Sequence, residues 1–229
     1  SESGREPFTF RRIWDETMKI SQLLVRHIQP GDTVGILMEN HPRWGIAFLA
    51  AQSSGARIVP FDILHSAKTL AYLVQHSDCK YLISSEEFSP KLQKVQNLLP
   101  TPLPGLISGS KIPGYEHWDS ALNLSSSETT LPLVESDPDS TFLLVYTSGT
   151  TGNPKGVMLT PRSIYLTVKS VLDAVAISHR DHILSVLPLY HMLALMANFL
   201  APLYMGARVT YLDALDAGRI LQCFRNEKV

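Results

Sequence analysis

Cysteine is scarce in this chain, and so is net charge. Cys79 and Cys223 are its only thiols. Two are too few for a disulfide framework and these lie too far apart in sequence for a metal site, so both read as inert thiols of a reducing compartment. Twenty lysines and arginines against 21 acids leave a formal charge of -1. That balance removes the electrostatic case for nucleic acid or an anionic membrane as main partner. No secretory signal is legible in the charged and polar opening residues, so the cytoplasm is the default address. No transmembrane segment is expected either, which leaves only peripheral membrane association open. The Leu-, Met- and Ala-rich stretch 187–209 is broken by Pro188, His191, Asn198, Pro202 and Arg208, whereas a spanning helix needs about twenty mainly apolar residues; it reads as a buried helix. No internal repeat is evident. What the chain does have is 45% hydrophobic residues over 229 positions, enough for a substantial core in one large or two small domains.

Strand and helix patterns alternate. Phe8-Thr9-Phe10 leads into an amphipathic helix with Ile13, Thr17, Ile20, Leu24 and Ile28 at helical spacing, and Pro30-Gly31-Asp32 breaks it before a strand over 34–38. Asn40-His41-Pro42 caps a helix running to about Ser54, which Gly55 closes; strand 57–61, helix 66–76 and strand 80–84 follow. Such alternation predicts an α/β fold of layered, mainly parallel sheets flanked by helices, with ligands bound beyond the strands' carboxyl ends. The Pro- and Gly-rich stretch 99–114 and the Ser-, Thr- and acid-rich stretch 124–140 read as surface connections. The second places a subdomain boundary near Ser136, dividing the chain into 1–136 and 137–229.

The richest stretch chemically is Thr147-Ser148-Gly149-Thr150-Thr151-Gly152-Asn153-Pro154-Lys155-Gly156. Gly149, Gly152 and Gly156 lack a Cβ, so the backbone can take positive φ and turn its N–H groups toward an anion, while Thr147, Ser148, Thr150 and Thr151 add hydroxyl donors. Lys155 adds a full positive charge, and charge-assisted bonds to phosphate are roughly twice as strong as neutral ones. The stretch is not a Walker A loop, because strand-like residues flank it on both sides (142–146 and 157–159) and no helix follows the lysine directly. A helix begins later, with Thr160 as N-cap, Pro161 at its first position, and Ile164, Val168, Val171 and Val175 on one face. Phosphate binding would fall to the loop itself. A Gly/Ser/Thr-rich hairpin that binds nothing is the bland alternative, but turn chemistry requires no lysine or three glycines in this order.

The run from Tyr146 to Val157 resembles the AMP-binding signature of the adenylate-forming superfamily, which contains acyl-CoA synthetases, peptide-synthetase adenylation domains and firefly luciferase. Leu187-Pro188-Leu189-Tyr190-His191 resembles that family's next motif, whose aromatic or histidine side chain lies near the acyl-carboxylate pocket. The resemblance implies that the chain is part of the large amino-terminal domain of such an enzyme, most like a fatty acid–CoA ligase. It implies two steps. An acid's carboxylate attacks the α-phosphate of ATP, and coenzyme A then displaces AMP. Lys155 and His191 would be the catalytic side chains, the loop residues named above would bind ATP, and one loop hydroxyl, taken as Thr147, would lie near Mg²⁺. A medium- or long-chain fatty acid is the first expectation, resting on His191 and on Met192, Leu195, Met196 and Phe199 after it. An aryl or amino acid, a fatty acyl-AMP ligase that loads a carrier protein, and a non-catalytic nucleotide-binding module remain alternatives. Pro161-Arg162-Ser163 stands where the family often has His-Arg-Asn. The family's later adenine, ribose and second-domain motifs are absent, so the chain is expected to be an amino-terminal fragment with weak or no turnover.

Overall fold

The computed structural model describes residues 7–123, 134, 137–147, 154–212, 216–227 and 229. Helix α1 (Phe10–Leu24) starts at Thr9, whose hydroxyl accepts from the Arg12 N–H, and it buries Ile20, Leu23 and Leu24. There follow β1 (Thr33–Leu37), α2 (Pro42–Ser53), β2 (Arg57–Pro60), α3 (Ala67–His76), β3 (Cys79–Ser85), α4 (Ser89–Gln96), β4 (Gly105–Ser108), β5 (Tyr115–His117) and α5 (Trp118–Leu122). Beyond residue 136 come β6 (Leu143–Thr147), β7 (Lys155–Leu159), α6 (Pro161–Ala174), β8 (His182–Ser185), α7 (Met192–Ala194), α8 (Ala201–Met205), β9 (Arg208–Tyr211) and α9 (Ala217–Glu227).

Seven strands form one sheet in the order β5-β4-β3-β1-β2-β6-β7, and β8 and β9 form a second, parallel pair. Every pairing in the large sheet is parallel except β6 with β7. This is the mainly parallel, helix-flanked α/β architecture that the alternating pattern predicts. Strand β1 is buried along its whole length, as a strand covered on both faces must be. Its side chains alternate between two layers. Val34 and Ile36 join the core with α1 and α2, whereas Leu37 joins the one with α3 and α4.

The stretch 99–114 is not only surface connection. It holds β4, buried at all four positions between β3 and β5. The sequence hides this strand because Pro104 and Gly105 read as turn residues. Gly105 is required for space: a Cβ there would run into the Leu82 carbonyl and the Tyr115 ring. Most of the second stretch, 124–133 and 135–136, lies outside the described residues. On its far side Leu143 of β6 pairs with Ile58 of β2, and Phe142 meets Phe48 edge to face at 5.7 Å. The strands on the two sides of Ser136 therefore share one sheet and one core.

Stretch 187–209 is not one helix. A π-helical turn, Leu195–Leu200, joins α7 to α8, and Pro202 follows it with no N–H to give to the carbonyl four residues back. Gly206 ends α8 at φ 71°, a left-handed conformation that favours glycine. Leu195, Met196 and Phe199 are buried, and Phe199 packs edge-on to Trp44 at 6.0 Å and Phe48 at 5.8 Å. Each such side chain contributes about 1.5–3 kcal/mol by leaving water. In α6, Ile164 and Val168 are buried as the pattern predicts, but the helix stops at Ala174 and Val175 is 55% exposed.

Candidate functional site

Strands β6 and β7 are the two arms of the Gly- and Thr-rich loop, and their ladder sets its mouth. Thr147 pairs with Lys155 and Tyr146 with Gly156. Ser148, Gly149, Thr150, Thr151 and Gly152 lie outside the described residues. Thr147 and Lys155 are both exposed, so a hydroxyl and an ammonium open together at the loop's neck. Among the described residues Lys155 has no ion pair. By strand alternation Thr147 faces the same side of the sheet as Leu143 and Val145, whose core also holds Leu189, Ala194 and Leu195.

Gly156 does not take the positive φ that its place in the loop suggests. It lies in extended strand. A Cβ there would sit 2.8 Å from Leu144 Cδ1 and 3.4 Å from Tyr146 Cε1. The glycine makes room for those two side chains. Tyr146 is held from the other layer, its Oη lying 2.8 Å from His76 Nδ1 at the end of α3. Burial pushes its phenol up to about 12, with Tyr72 adding to the shift and a Ser77 hydrogen bond opposing it. The phenol stays neutral and can fix the start of the loop without adding charge.

The helix after the loop is anchored as its residues predict. Thr160 and Ser163 form a reciprocal capping box behind Pro161, so Ser163 serves the helix start. Arg162 is turned to Asp139, with bonds of 2.7 and 3.0 Å. These bonds hold the Asp139 carboxyl below its usual range.

His191 caps α7 with its backbone in extended conformation, and its side chain is exposed. Its N–H donates to the Pro188 carbonyl at 3.0 Å, and its ring lies 4.6 Å from that of Tyr190. Tyr190 is buried; burial and then the Asp62 carboxylate push its phenol up to about 12. Asp62 follows the end of β2, and β6, β2 and β1 are consecutive parallel strands. Thr147 and Asp62 thus leave the same edge of the sheet, the carboxyl ends where open α/β sheets bind ligands. The structure brings His191 to that edge through Tyr190, and brings Thr147 and Lys155 together directly.

Of the residues expected to meet a hydrocarbon, Leu195, Met196 and Phe199 are core; Leu193, which was not singled out, is 66% exposed. Sequence reasoning also missed His76, Asp62 and Asn40. In the sequence Asn40 reads as part of a helix cap, but that role belongs to His41, whose Nδ1 accepts from the Arg43 N–H at 3.1 Å. A separate open cleft of about 850 Å³ lies between Phe8, His41, Phe199 and Tyr211, and Thr147, Lys155 and His191 are not among its lining residues. No helix among the described residues is long and apolar enough to cross a membrane.

Comparison with known proteins adds three kinds of finding. Residues 2–229 match a family model described as AMP-binding enzyme. Among curated proteins, an oxalate–CoA ligase of Arabidopsis thaliana is 30% identical over 224 residues, covering 92% of this chain and 41% of that one. A 4-coumarate–CoA ligase, CCL1, of Humulus lupulus is 30% identical over 213 residues, 88% of this chain and 37% of its own. Among solved structures, the anthranilate CoA ligase AuaEII in complex with anthranoyl-AMP superposes with a TM-score of 0.86 at 23% identity, over 94% of this chain and 42% of that one. The inhibitor-bound N-terminal domain of FACL13 from Mycobacterium tuberculosis superposes at 0.85 and 23%, over the whole of this chain and 56% of that one. These superpositions show the fold. The chain spans about two fifths of the length of the curated relatives it matches.

Proposed function

The chain belongs to the AMP-binding enzyme family, and from that premise we propose that it carries the phosphate-gripping half of a site that activates a carboxylic acid with ATP for transfer to coenzyme A. The observation that carries this reading is the pairing of Thr147 with Lys155 at the mouth of the loop, an exposed hydroxyl beside an exposed cation. In the first step a carboxylate oxygen attacks the α-phosphorus, the bond to pyrophosphate breaks, and an acyl-adenylate forms. In the second, a thiolate attacks the acyl carbon and the carbon–oxygen bond to AMP breaks.

The difficulty of the first step is that two anions must meet. At 4 Å two unit charges repel by about 4 kcal/mol at an effective dielectric constant near 20. Lys155 would offset a repulsion of that size by pairing with phosphate oxygens, and backbone amides facing the phosphates would add to it. His191 would hold the acid's carboxylate, orienting it for attack. Among the described residues no group of three or more His, Cys, Asp or Glu side chains gathers. A donor set of phosphate oxygens with the Thr147 hydroxyl suits magnesium, which keeps several waters and takes few protein ligands. Bound there, Mg²⁺ would neutralise phosphate charge.

We read the acid as having an apolar tail. Met192 and Leu193 follow His191 directly, Leu193 stands exposed, and α7 offers no cation for a second carboxylate. A medium- or long-chain fatty acid fits, and an aryl acid fits equally; the coumarate and anthranilate ligases among its relatives support the latter. Functionally the chain divides near Ser136, with the loop and His191 in 137–229 and Asp62 and His76, which steady them, in 1–136.

Calorimetry with Mg·ATP tests the reading. Lys155→Ala should weaken binding tenfold or more, the size expected for a lost charge-assisted contact of about 1.5–3 kcal/mol. Equal affinity in the two proteins would remove ATP from this loop. A panel of alkyl, aryl and dicarboxylic acids, assayed with the full-length enzyme by pyrophosphate release, then decides the acid.

A further inference from the structure

Three backbone groups from two strand exits converge on one side chain. Asn40, just past the end of β1, donates from Nδ2 to the Leu187 carbonyl at 2.9 Å and to the Leu212 carbonyl at 3.1 Å. Its Oδ1 accepts from the Leu189 N–H at 2.9 Å. A carboxamide has two donor protons and one acceptor oxygen, so both donors and one lone pair are filled by backbone. Leu187 follows β8 and Leu212 follows β9, and the Leu212 N–H donates to the Ser185 carbonyl at 3.0 Å. One amide therefore ties the carboxyl end of β1 to the carboxyl ends of both strands of the smaller sheet.

The tied segment ends at His191. Leu187 and Leu189 are gripped on either side of Pro188, and the Pro188 carbonyl accepts from His191 itself. The Asp62 carboxylate meets Tyr190 in the same segment. The exit of β1 thus holds the segment at two points, Leu187 and Leu189, with the Asp62 charge beyond β2 acting on Tyr190 next to them, and the imidazole's position follows.

We infer that Asn40 is a positioning residue for His191, acting through the Leu187–Leu189 backbone. The clamp itself stands on geometry; its effect on the acid rests on the function proposed above. Asn40→Asp keeps the side chain's shape and its acceptor, but removes both donors and sets a carboxylate against two carbonyls. Hydrogen exchange of residues 187–191 should then quicken on the order of tenfold, the loss expected for a net hydrogen bond or two, with β1 unchanged. In the full-length enzyme the KM for the acid should rise by a similar factor while the KM for ATP stays put.

Unchanged exchange at 187–191, or faster exchange spread evenly over the chain, overturns the clamp. Equal changes in the two KM values, or none, overturn the positioning role. If the unsubstituted enzyme releases no pyrophosphate with any acid, the proposed function fails, and the exchange experiment alone decides the clamp. Should Asn40→Asp not fold, the unsubstituted chain still provides a test: its Asn40 side-chain amide protons must exchange slowly, and fast exchange refutes the inference.

Discussion

Gly105 and Gly156 are both strand glycines with crowded surroundings, yet the atoms that crowd them differ in kind. At Gly105 an added Cβ meets the Leu82 carbonyl oxygen, held by the ladder between β3 and β4. It cannot yield without breaking pairing. At Gly156 the nearest atom is the terminal Cδ1 of Leu144, which can change rotamer. Gly105→Ala should therefore cost at least about 3 kcal/mol, beyond the usual range for overpacking, and Gly156→Ala no more than about 1 kcal/mol. Urea denaturation of both variants checks this. Equal costs would mean that the Leu144 side chain is as fixed as the backbone.

Elements in the second half are held by polar contacts as well as by core. Helix α9 docks on the smaller sheet through His182: Nδ1 lies 2.9 Å from the Glu227 carbonyl and Nε2 2.8 Å from Thr210 Oγ1. Thr210 Oγ1 also lies 2.7 Å from Glu227 Oε2, so its one hydroxyl proton is shared between that carboxylate and the acceptor nitrogen of a neutral ring. Burial lowers the pKa of His182 and Arg208 adds to this, against the opposing pull of Glu227. With the folded value below the unfolded 6.5, the unfolded chain takes up the proton more readily. The stabilisation is complete above pH 6.5 and lost as pH falls through the folded value. Melting temperature should thus drop more steeply below pH 6.5 in the unsubstituted chain than in His182→Gln. Parallel slopes would show that His182 does not titrate in the docked helix.

Across the whole molecule the large sheet has one conspicuous margin. Strand β7 is its last strand, antiparallel to its neighbour and unpaired on the outer side among the described residues. Val157 is 44% and Met158 68% exposed on its two faces. An apolar open edge invites pairing with another strand, and a charge placed there discourages it. Sedimentation velocity on this chain should show concentration-dependent association that Met158→Lys reduces. A monomer at every concentration would remove the edge as a contact.

The sequence by itself determined what local pattern can encode. The family motif from Tyr146 to Val157, the alternation of strands and helices up to residue 84, and the cap at Thr160 are all legible because backbone period and cap chemistry act within a few residues. The tertiary structure decided what depends on contact between distant segments. Asn40 and Leu189 are 149 positions apart and His76 and Tyr146 are 70 apart, so no local signal marks either pair. Gly105 reads as a turn residue until a strand is placed on each side of it. Stretch 187–209 reads as one buried helix until the packed structure shows a π-helical turn, Leu195–Leu200, between α7 and α8, with Phe199 set against Trp44 and Phe48. Side-chain partners are chosen when sheets and helices close on one another, and that choice places His191 at the edge from which the loop departs.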